Sequence, residues 1–295
     1  MILEFRNIEK SFGDKKVLKG INFTAKSGVA NGYLGRNGSG KTTSFRVLLD
    51  IFKPDKGEIL LDGKPLDHSK VKIGYLPEER GMYDGVGLVD QLAYFGMLKG
   101  MTKKAARDEA KKWLDFFELE DNKQALKTLS KGNAQKIQII QSVMNDPDIL
   151  VFDEPFSGLD PVNPELLKNI IIELVKEGKY VIMSAHQMQT IEEFCENILI
   201  LNKGKTVLQG NLSEIKEGYP ANRLSLNTKQ DVTKYIEENN MEIELVANNN
   251  YKIKINNEEQ AHKLLKNLVD NNIVIDKFEI QKPTLNDIFI EKVGE

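Results

Sequence analysis

The chain has little of what marks a secreted or membrane-spanning protein. Its 295 residues include one cysteine, Cys195, so no intrachain disulfide can form and a reducing, cytosolic setting fits. Cys195 lies in an amphipathic stretch, Thr190–Asn197, and is expected to face the core as a small hydrophobe. No apolar run approaches the ~18–20 residues that cross a bilayer, so any membrane role needs a partner. The stretch Met1–Arg6 lacks the basic-then-apolar layout of a signal peptide. A strong charge of either sign is missing too. The net charge of −3 and pI of about 5.9 give no general support for binding nucleic acid or an anionic membrane. Internal repeats and low-complexity tracts are absent. The 40% of hydrophobic residues suffices for a core, and the length allows one large domain or two smaller ones.

Residues 35–42 read Gly-Arg-Asn-Gly-Ser-Gly-Lys-Thr, which fits G-x-x-x-x-G-K-[ST]. The extended segment Val29–Leu34 precedes it and a helical stretch, Thr42–Leu49, follows, as a phosphate-cradling loop requires. Glycines let backbone N–H groups crowd around phosphate oxygens, and the new helix adds its positive end. Asn37, Gly38, Ser39, Gly40, Lys41, Thr42 and Thr43 are therefore candidate nucleotide contacts. Lys41 is placed to reach the β- and γ-phosphates and the Thr42 hydroxyl to ligate Mg²⁺.

Strands are expected over residues 2–8, 17–25, 58–61 and 71–75, with turns at Gly13-Asp14-Lys15 and Asp62-Gly63. From about Val86 to Met144 the character turns helical. Ala106, Ala110, Trp113, Leu114 and Phe117 recur at helical spacing, Thr102 is a plausible N-cap, and Trp113 is expected in the core. Buried-strand runs return at Ile149–Phe152, Lys179–Met183 and Ile198–Leu201, and Asn202-Lys203-Gly204 closes a hairpin onto Lys205–Leu208. A helix over Pro164–Val175 should end near Gly178. Beyond Gly210 the remainder reads β-α-β-β-α-β-α, with Thr284 and Asp287 spaced as an acidic capping box. This is the pattern of a small ferredoxin-like domain. The expected boundaries are a nucleotide-binding domain over 1–212, with a helical subdomain at about 84–146, a linker over 213–222, and an accessory α+β domain over 223–295.

Residues 148–154 read Asp-Ile-Leu-Val-Phe-Asp-Glu, an apolar strand ending in two carboxylates. Asp153 is placed to hold Mg²⁺ directly or through water, and Glu154 to polarise the attacking water. A Ser-x-Gly at a helix start, Ser130-Lys131-Gly132, is a second anion site, because free N–H groups point outward there. Three more features follow in order: Ser157-Gly158-Leu159-Asp160, His186 in Ser184-Ala185-His186, and, upstream, Phe12.

Across residues 1–210 this series resembles the ATP-binding subunit of an ABC transporter. The resemblance implies an α/β fold: a P-loop NTPase ABC cassette with a mixed β core and a helical subdomain. Leu129-Ser130-Lys131-Gly132-Asn133 resembles the family signature Leu-Ser-Gly-Gly-Gln. By that resemblance Ser130 and Gly132 contact the γ-phosphate of the opposite subunit's ATP, so a two-fold dimer completes two sites. His186 corresponds to the switch histidine, Asp160 to the loop after the second carboxylate, and Phe12 to the aromatic that stacks on adenine. Glu78 stands where glutamine is usual and is a candidate Mg²⁺ ligand. Arg36 replaces a frequent proline, and Lys131 and Asn133 replace Gly and Gln. Asn31, inside a buried strand, needs hydrogen-bond partners. For His68 and His262 a surface role is expected.

The departures, with the segments Leu-Pro-Glu-Glu-Arg-Gly and Pro-Thr-Leu-Asn-Asp-Ile-Phe-Ile-Glu, resemble the ABC-2-type export ATPases of the sodium, drug or antibiotic efflux branch. That resemblance implies a homodimeric ATPase using ATP and Mg²⁺. It would sit on the cytoplasmic face of the membrane against a polytopic permease, with no nucleic-acid partner. Met82–Met97 is expected to dock a permease helix, with Tyr83, Leu88 and Tyr94 in contact. The competing class is a soluble ABC protein acting on ribosomes or DNA. Against it stand the single cassette, the acidic balance and the lack of a heptad insertion. The C-terminal domain reads equally as a ligand sensor or as a passive dimer support.

Overall fold

A computed structural model describes residues 1–78, 81–119, 125–156, 163–185 and 188–294. The chain divides into two compact units, Met1–Asn211 and Leu212–Glu295. The first unit opens with β1 (Ile2–Phe12), β2 (Lys15–Lys26), β3 (Ala30–Gly35), α1 (Lys41–Leu48), β4 (Lys56–Leu61), β5 (Lys64–Pro65) and β6 (Ile73–Leu76). Three helices follow: α2 (Leu88–Leu98), α3 (Lys103–Phe116) and α4 (Lys131–Val143). It closes with β7 (Ile149–Phe152), α5 (Asn163–Lys176), β8 (Tyr180–Ser184), α6 (Met188–Phe194), β9 (Asn197–Asn202) and β10 (Lys205–Asn211).

Two sheets face one another. The antiparallel sheet has the order β2-β1-β4-β5, and the larger sheet β10-β9-β3-β8-β7-β6 is parallel except for its β9–β10 hairpin. Alternation along β1 and β2 buries Leu3, Phe5, Ile21 and Phe23 on one face. These meet Tyr33 from β3 and Phe45 from α1. The rings of Phe5, Phe23, Tyr33 and Phe45 form a chain at centroid distances of 5.7, 5.1 and 5.0 Å. The parallel strands are buried on both sides, and β3, β7 and β8 have no exposed residue.

Asn31 is fully buried in β3 and is satisfied. Its side chain accepts from the N–H of Lys26 and donates to the carbonyls of Lys26, Val29 and Val181, all at 3.0–3.1 Å. It fastens the end of β2 to the parallel sheet.

The helical segment follows its sequence pattern. Thr102 caps α3 by accepting from Ala105, and Ala106, Ala110, Leu114 and Phe117 are buried on one face. Trp113 departs from the expectation. It is only half-buried, stepping off that face toward the neighbouring Phe116, which is exposed.

The second unit contains α7 (Leu212–Glu217), β11 (Arg223–Thr228), α8 (Thr233–Glu238), β12 (Glu242–Ala247), β13 (Asn250–Lys254), α9 (Glu258–Asp270), β14 (Ile275–Gln281) and α10 (Leu285–Val293). The first half of the segment expected as a linker, 213–222, thus lies in α7. The sheet is antiparallel with order β12-β13-β11-β14, the ferredoxin-like arrangement. Its core joins Leu224, Leu226, Tyr251 and Ile253 of the sheet to Ala261, Leu264 and Leu268 of α9. Thr284 and Asp287 form the expected capping box at α10.

Candidate functional site

The site forms where the carboxyl ends of β3, β7 and β8 meet, the usual place for ligands in parallel sheets. Strand β3 feeds the glycine-rich loop. Gly40 precedes α1 with φ 113°, and a Cβ there would lie 2.7 Å from Leu18, so only glycine fits the turn. The first N–H groups of α1 have no intrahelical carbonyl and open toward the cleft. Lys41 is buried; its Nζ donates to the Gly35 carbonyl at 2.7 Å and lies 3.7 Å from Glu154 Oε1.

Asp153 and Glu154 directly follow strand β7, and both are buried. Thr42 Oγ1 donates to Asp153 Oδ2 at 3.0 Å. Ser184, at the end of β8 and so between β3 and β7, donates to Asp153 Oδ1 at 2.7 Å. The same hydroxyl accepts the N–H of Glu154 at 2.9 Å. Glu154 adopts a left-handed φ of 55°, an uncommon backbone for a non-glycine residue at a functional site. Its bond to Ser184 holds that turn. The half-buried Tyr75 has its hydroxyl pushed up to about 12, chiefly by burial, with Asp153 and Glu78 adding and Arg46 opposing. It therefore stays a neutral donor beside the carboxylates.

These residues border a cleft of about 720 Å³. Phe12, Asn37, Gly38, Gly40, Lys41, Thr42, Thr43, Glu78, Asp153 and Glu154 line it, so the structure gathers most of the expected residues. Ser39 is buried within the same loop. Phe12 is 43% exposed and rests edge-on against Phe52 at 5.1 Å, leaving ring surface open at the cleft mouth. Ser130 and Gly132 do not line the cleft. Ser130 caps α4, accepting from Asn133 at 3.2 Å, which leaves the next N–H groups at the helix start. His186 and Asp160 lie outside the described residues.

Two contributions were not legible as site residues. Ser184 stands in the sequence only as part of the histidine motif, yet it bonds the Asp153 carboxylate and the Glu154 N–H. Lys15, Lys16, Lys19, Arg36 and Lys203 join Lys41 in the lining, six cations against three carboxylates, a balance suited to a polyphosphate. Lys203 arrives from the β9–β10 turn. Gly204 N donates to Ser39 O at 3.0 Å and Lys19 N to Gly204 O at 2.8 Å, and a Cβ at Gly204 would lie 2.1 Å from Val17 O. That stitching sets Lys203 beside the phosphate loop.

The floor of the cleft fits Mg²⁺. Thr42 and Asp153 offer oxygen donors, with Glu78 on the same wall. Among the described residues no group of three His, Cys, Asp or Glu could hold a metal unaided. Such a carboxylate-poor, all-oxygen set suits an ion that keeps waters and takes phosphate ligands.

Comparison with known proteins decides the family. Residues 18–157 match the ABC transporter family model, and residues 210–293 match the C-terminal domain of ATP-binding proteins of the DrrA1-3 type. The chain is 41% identical over 296 residues to the uncharacterized ABC transporter ATP-binding protein YhaQ of Bacillus subtilis, covering 99% of both. The chain belongs to the ABC transporter ATP-binding proteins. Its cassette is also 35% identical, over 70% of each chain, to the Nod factor export ATP-binding protein I of Burkholderia lata. A dimeric post-hydrolysis structure of the ATP-binding cassette MJ0796 with ADP and Pi superposes with a TM-score of 0.63 at 25% identity, over 71% of this chain and 98% of that one. This ABC cassette is thus an ATPase of the transporter-driving class rather than of the soluble class. Among the described residues no helix is long and apolar enough to cross a membrane.

Proposed function

We propose that the chain is the motor subunit of an exporter, binding MgATP between two copies of itself and driving a separate polytopic permease from the cytoplasmic face. The observation that carries this reading is an incomplete site. Lys41, Thr42, Asp153 and Glu154 share one cleft, while the anion-binding start of α4 lies outside it. One chain therefore holds two half-sites, and a two-fold pair completes both. The dimeric cassette with ADP and Pi supports the same arrangement.

In the chemistry we infer, Phe12 stacks on the base and the P-loop N–H groups and Lys41 bind the phosphates. Thr42 and Asp153, with Glu78 as a further oxygen donor, would hold Mg²⁺, which would supply neutralisation of phosphate charge. Glu154 accepts a proton from water as the water oxygen bonds to the γ-phosphorus. The bond from that phosphorus to the β–γ bridging oxygen breaks, giving ADP and phosphate. Ser184 fixes Asp153 and Glu154 in register. By resemblance His186 is assigned to the γ-phosphate or the attacking water, and Asp160, in the loop after the second carboxylate, to the nucleotide. Loss of the γ-phosphate removes contacts that bridge the chains, and the dimer reopens.

The segment Met82–Met97 is the proposed permease dock. Tyr83 and Tyr94 are 58% and 48% exposed there. Leu88, expected in the same contact, is buried in the helical core, so a charge at Leu88 tests folding and not docking. The export direction rests on the likeness to the Nod factor export ATP-binding protein I. Purifying the tagged chain with its native neighbouring genes from detergent-solubilised membranes tests this function. A stoichiometric polytopic membrane protein is expected. Copurification of ribosomes or nucleic acid, or of nothing, would overturn it.

A further inference from the structure

A second cavity lies away from the nucleotide cleft and shares no lining residue with it. It measures about 760 Å³ and opens between α3, the α4–β7 connection and α5. Pro147, in its wall, precedes β7, whereas Asp153 follows β7, so the strand separates the two sites. The cavity volume falls in the range that holds small organic ligands, about 300–1,000 Å³.

Its floor is apolar. Ile170 and Leu174 arise from the buried stripe of α5, and Val143 from the end of α4. Two aromatic rings stand at the wall, Trp113 half-buried and Phe116 53% exposed, packed edge to face at 5.6 Å. The rim is acidic: five carboxylates line the cavity against one cation, Lys112. Lys176 and Lys179, outside the lining, answer Glu173 and Asp146. Glu109 accepts the N–H of Asn145. Asp108 and Glu177 form no ion pair among the described residues, and they face the cavity on α3 and just past α5. Aromatic faces beside an acidic rim attract a desolvated cation through the ring quadrupole and the carboxylate field, and the floor takes its hydrocarbon body.

The geometry points to a binding site for an amphiphilic organic cation, with the charged head between Trp113 and the Asp108 and Glu177 carboxylates and the apolar body on Ile170 and Leu174. The site stands independently of the transport reading. It spans the helical segment and the parallel-sheet core of the cassette, so an occupant ties α3 to α5.

Trp113 is the sole tryptophan of the chain, which makes its fluorescence a reporter of this cavity alone. The experiment titrates the full-length protein with tetraphenylphosphonium and, separately, with the neutral triphenylphosphine oxide. A saturable change in Trp113 emission is expected with the cation, and at least several-fold weaker binding with the neutral compound. The double variant Asp108→Asn, Glu177→Gln should weaken the cation by roughly 5- to 30-fold while leaving basal ATP hydrolysis unchanged. Calorimetry on Trp113→Phe keeps binding measurable without the reporter and should show retained but weaker affinity. Non-saturable emission changes, equal binding of the neutral compound, or unchanged affinity in the double variant would each overturn the assignment. So would a response to a Lys-rich peptide but not to the small cation, which would make the cavity a protein-docking surface.

Discussion

The hydroxyl of Ser184 donates to Asp153 Oδ1 at 2.7 Å from the neighbouring strand. It also accepts the Glu154 N–H at 2.9 Å, so one buried side chain sets the position of two acidic residues. Ser184→Ala removes both bonds and leaves a buried carboxylate oxygen and a buried N–H short of partners. A stability loss of about 1–3 kcal/mol is expected. ATP affinity should stay near wild type while kcat falls by about tenfold, because Glu154 loses its register. Steady-state kinetics with thermal unfolding checks this. An unchanged kcat would reduce Ser184 to a packing residue.

Glu154→Gln keeps the shape and hydrogen-bonding reach of the side chain but cannot take a proton from water. Nucleotide binding should persist while hydrolysis falls by about 10²-fold or more, the scale of a lost general base. Phosphate release under single-turnover conditions measures it. Hydrolysis at the wild-type rate would move the base to another residue.

Lys203 is exposed, so its contribution is screened. Lys203→Ala is expected to raise KM for ATP by about threefold to tenfold with kcat little changed, the mark of binding shared by ground and transition states. Added salt should narrow the difference from wild type, and Lys203→Arg should restore binding. No change in KM at low salt would remove Lys203 from the site.

Lys99 ties α2 to α4. Its Nζ donates to the carbonyls of Gln141, Ser142 and Met144 at the end of α4. Burial lowers its ammonium to about 8, with Glu109 opposing. The unfolded chain therefore binds the extra proton between pH 8 and the ordinary lysine value of 10.5. Stability should rise with pH across that window from this group, the penalty being full below pH 8 and gone above 10.5. Denaturant unfolding of wild type against Lys99→Met, at several pH values between these limits, isolates the slope. Parallel profiles would show that Lys99 is not shifted.

The parts of the fold legible in the sequence were those set by local chemistry. The phosphate loop, the apolar run into Asp153 and Glu154, the Thr102 cap and the Thr284 box each depend on residues within a few positions. The β-α-β-β-α-β-α pattern of the second unit was readable for the same reason, since alternation and Asn-rich turns mark each element. The turns at Asp62-Gly63, Lys203-Gly204 and Asn248-Asn249 all carry the positive φ pairs that such residues tolerate.

What failed to show was set at long range. Ser184 becomes a site residue only because β8 inserts between β3 and β7. Lys203 reaches the cleft because its neighbour Gly204 bonds residues 19 and 39. Leu88 and Trp113 were misplaced for a shared reason: helical periodicity marks an apolar face, but not which of its border residues a neighbouring helix covers. The helix at Leu212–Glu217 hides in a polar stretch whose composition reads as a connection.

The central claim is that each chain carries two half-sites which complete each other in a pair. Mixing two inactive variants tests it most directly. Lys41→Ala disables the phosphate-loop half, and Ser130→Arg blocks the α4 half by bulk and charge. Each variant alone forms only defective sites, whereas a mixed pair contains one site with both halves intact. The account predicts that each pure variant is nearly inactive and that the mixture regains ATP hydrolysis, at up to about a quarter of the wild-type rate per chain if pairing is random and sites act independently. Ser130→Arg hydrolysing ATP like wild type, or a mixture no more active than its components while the chains still associate, would contradict it.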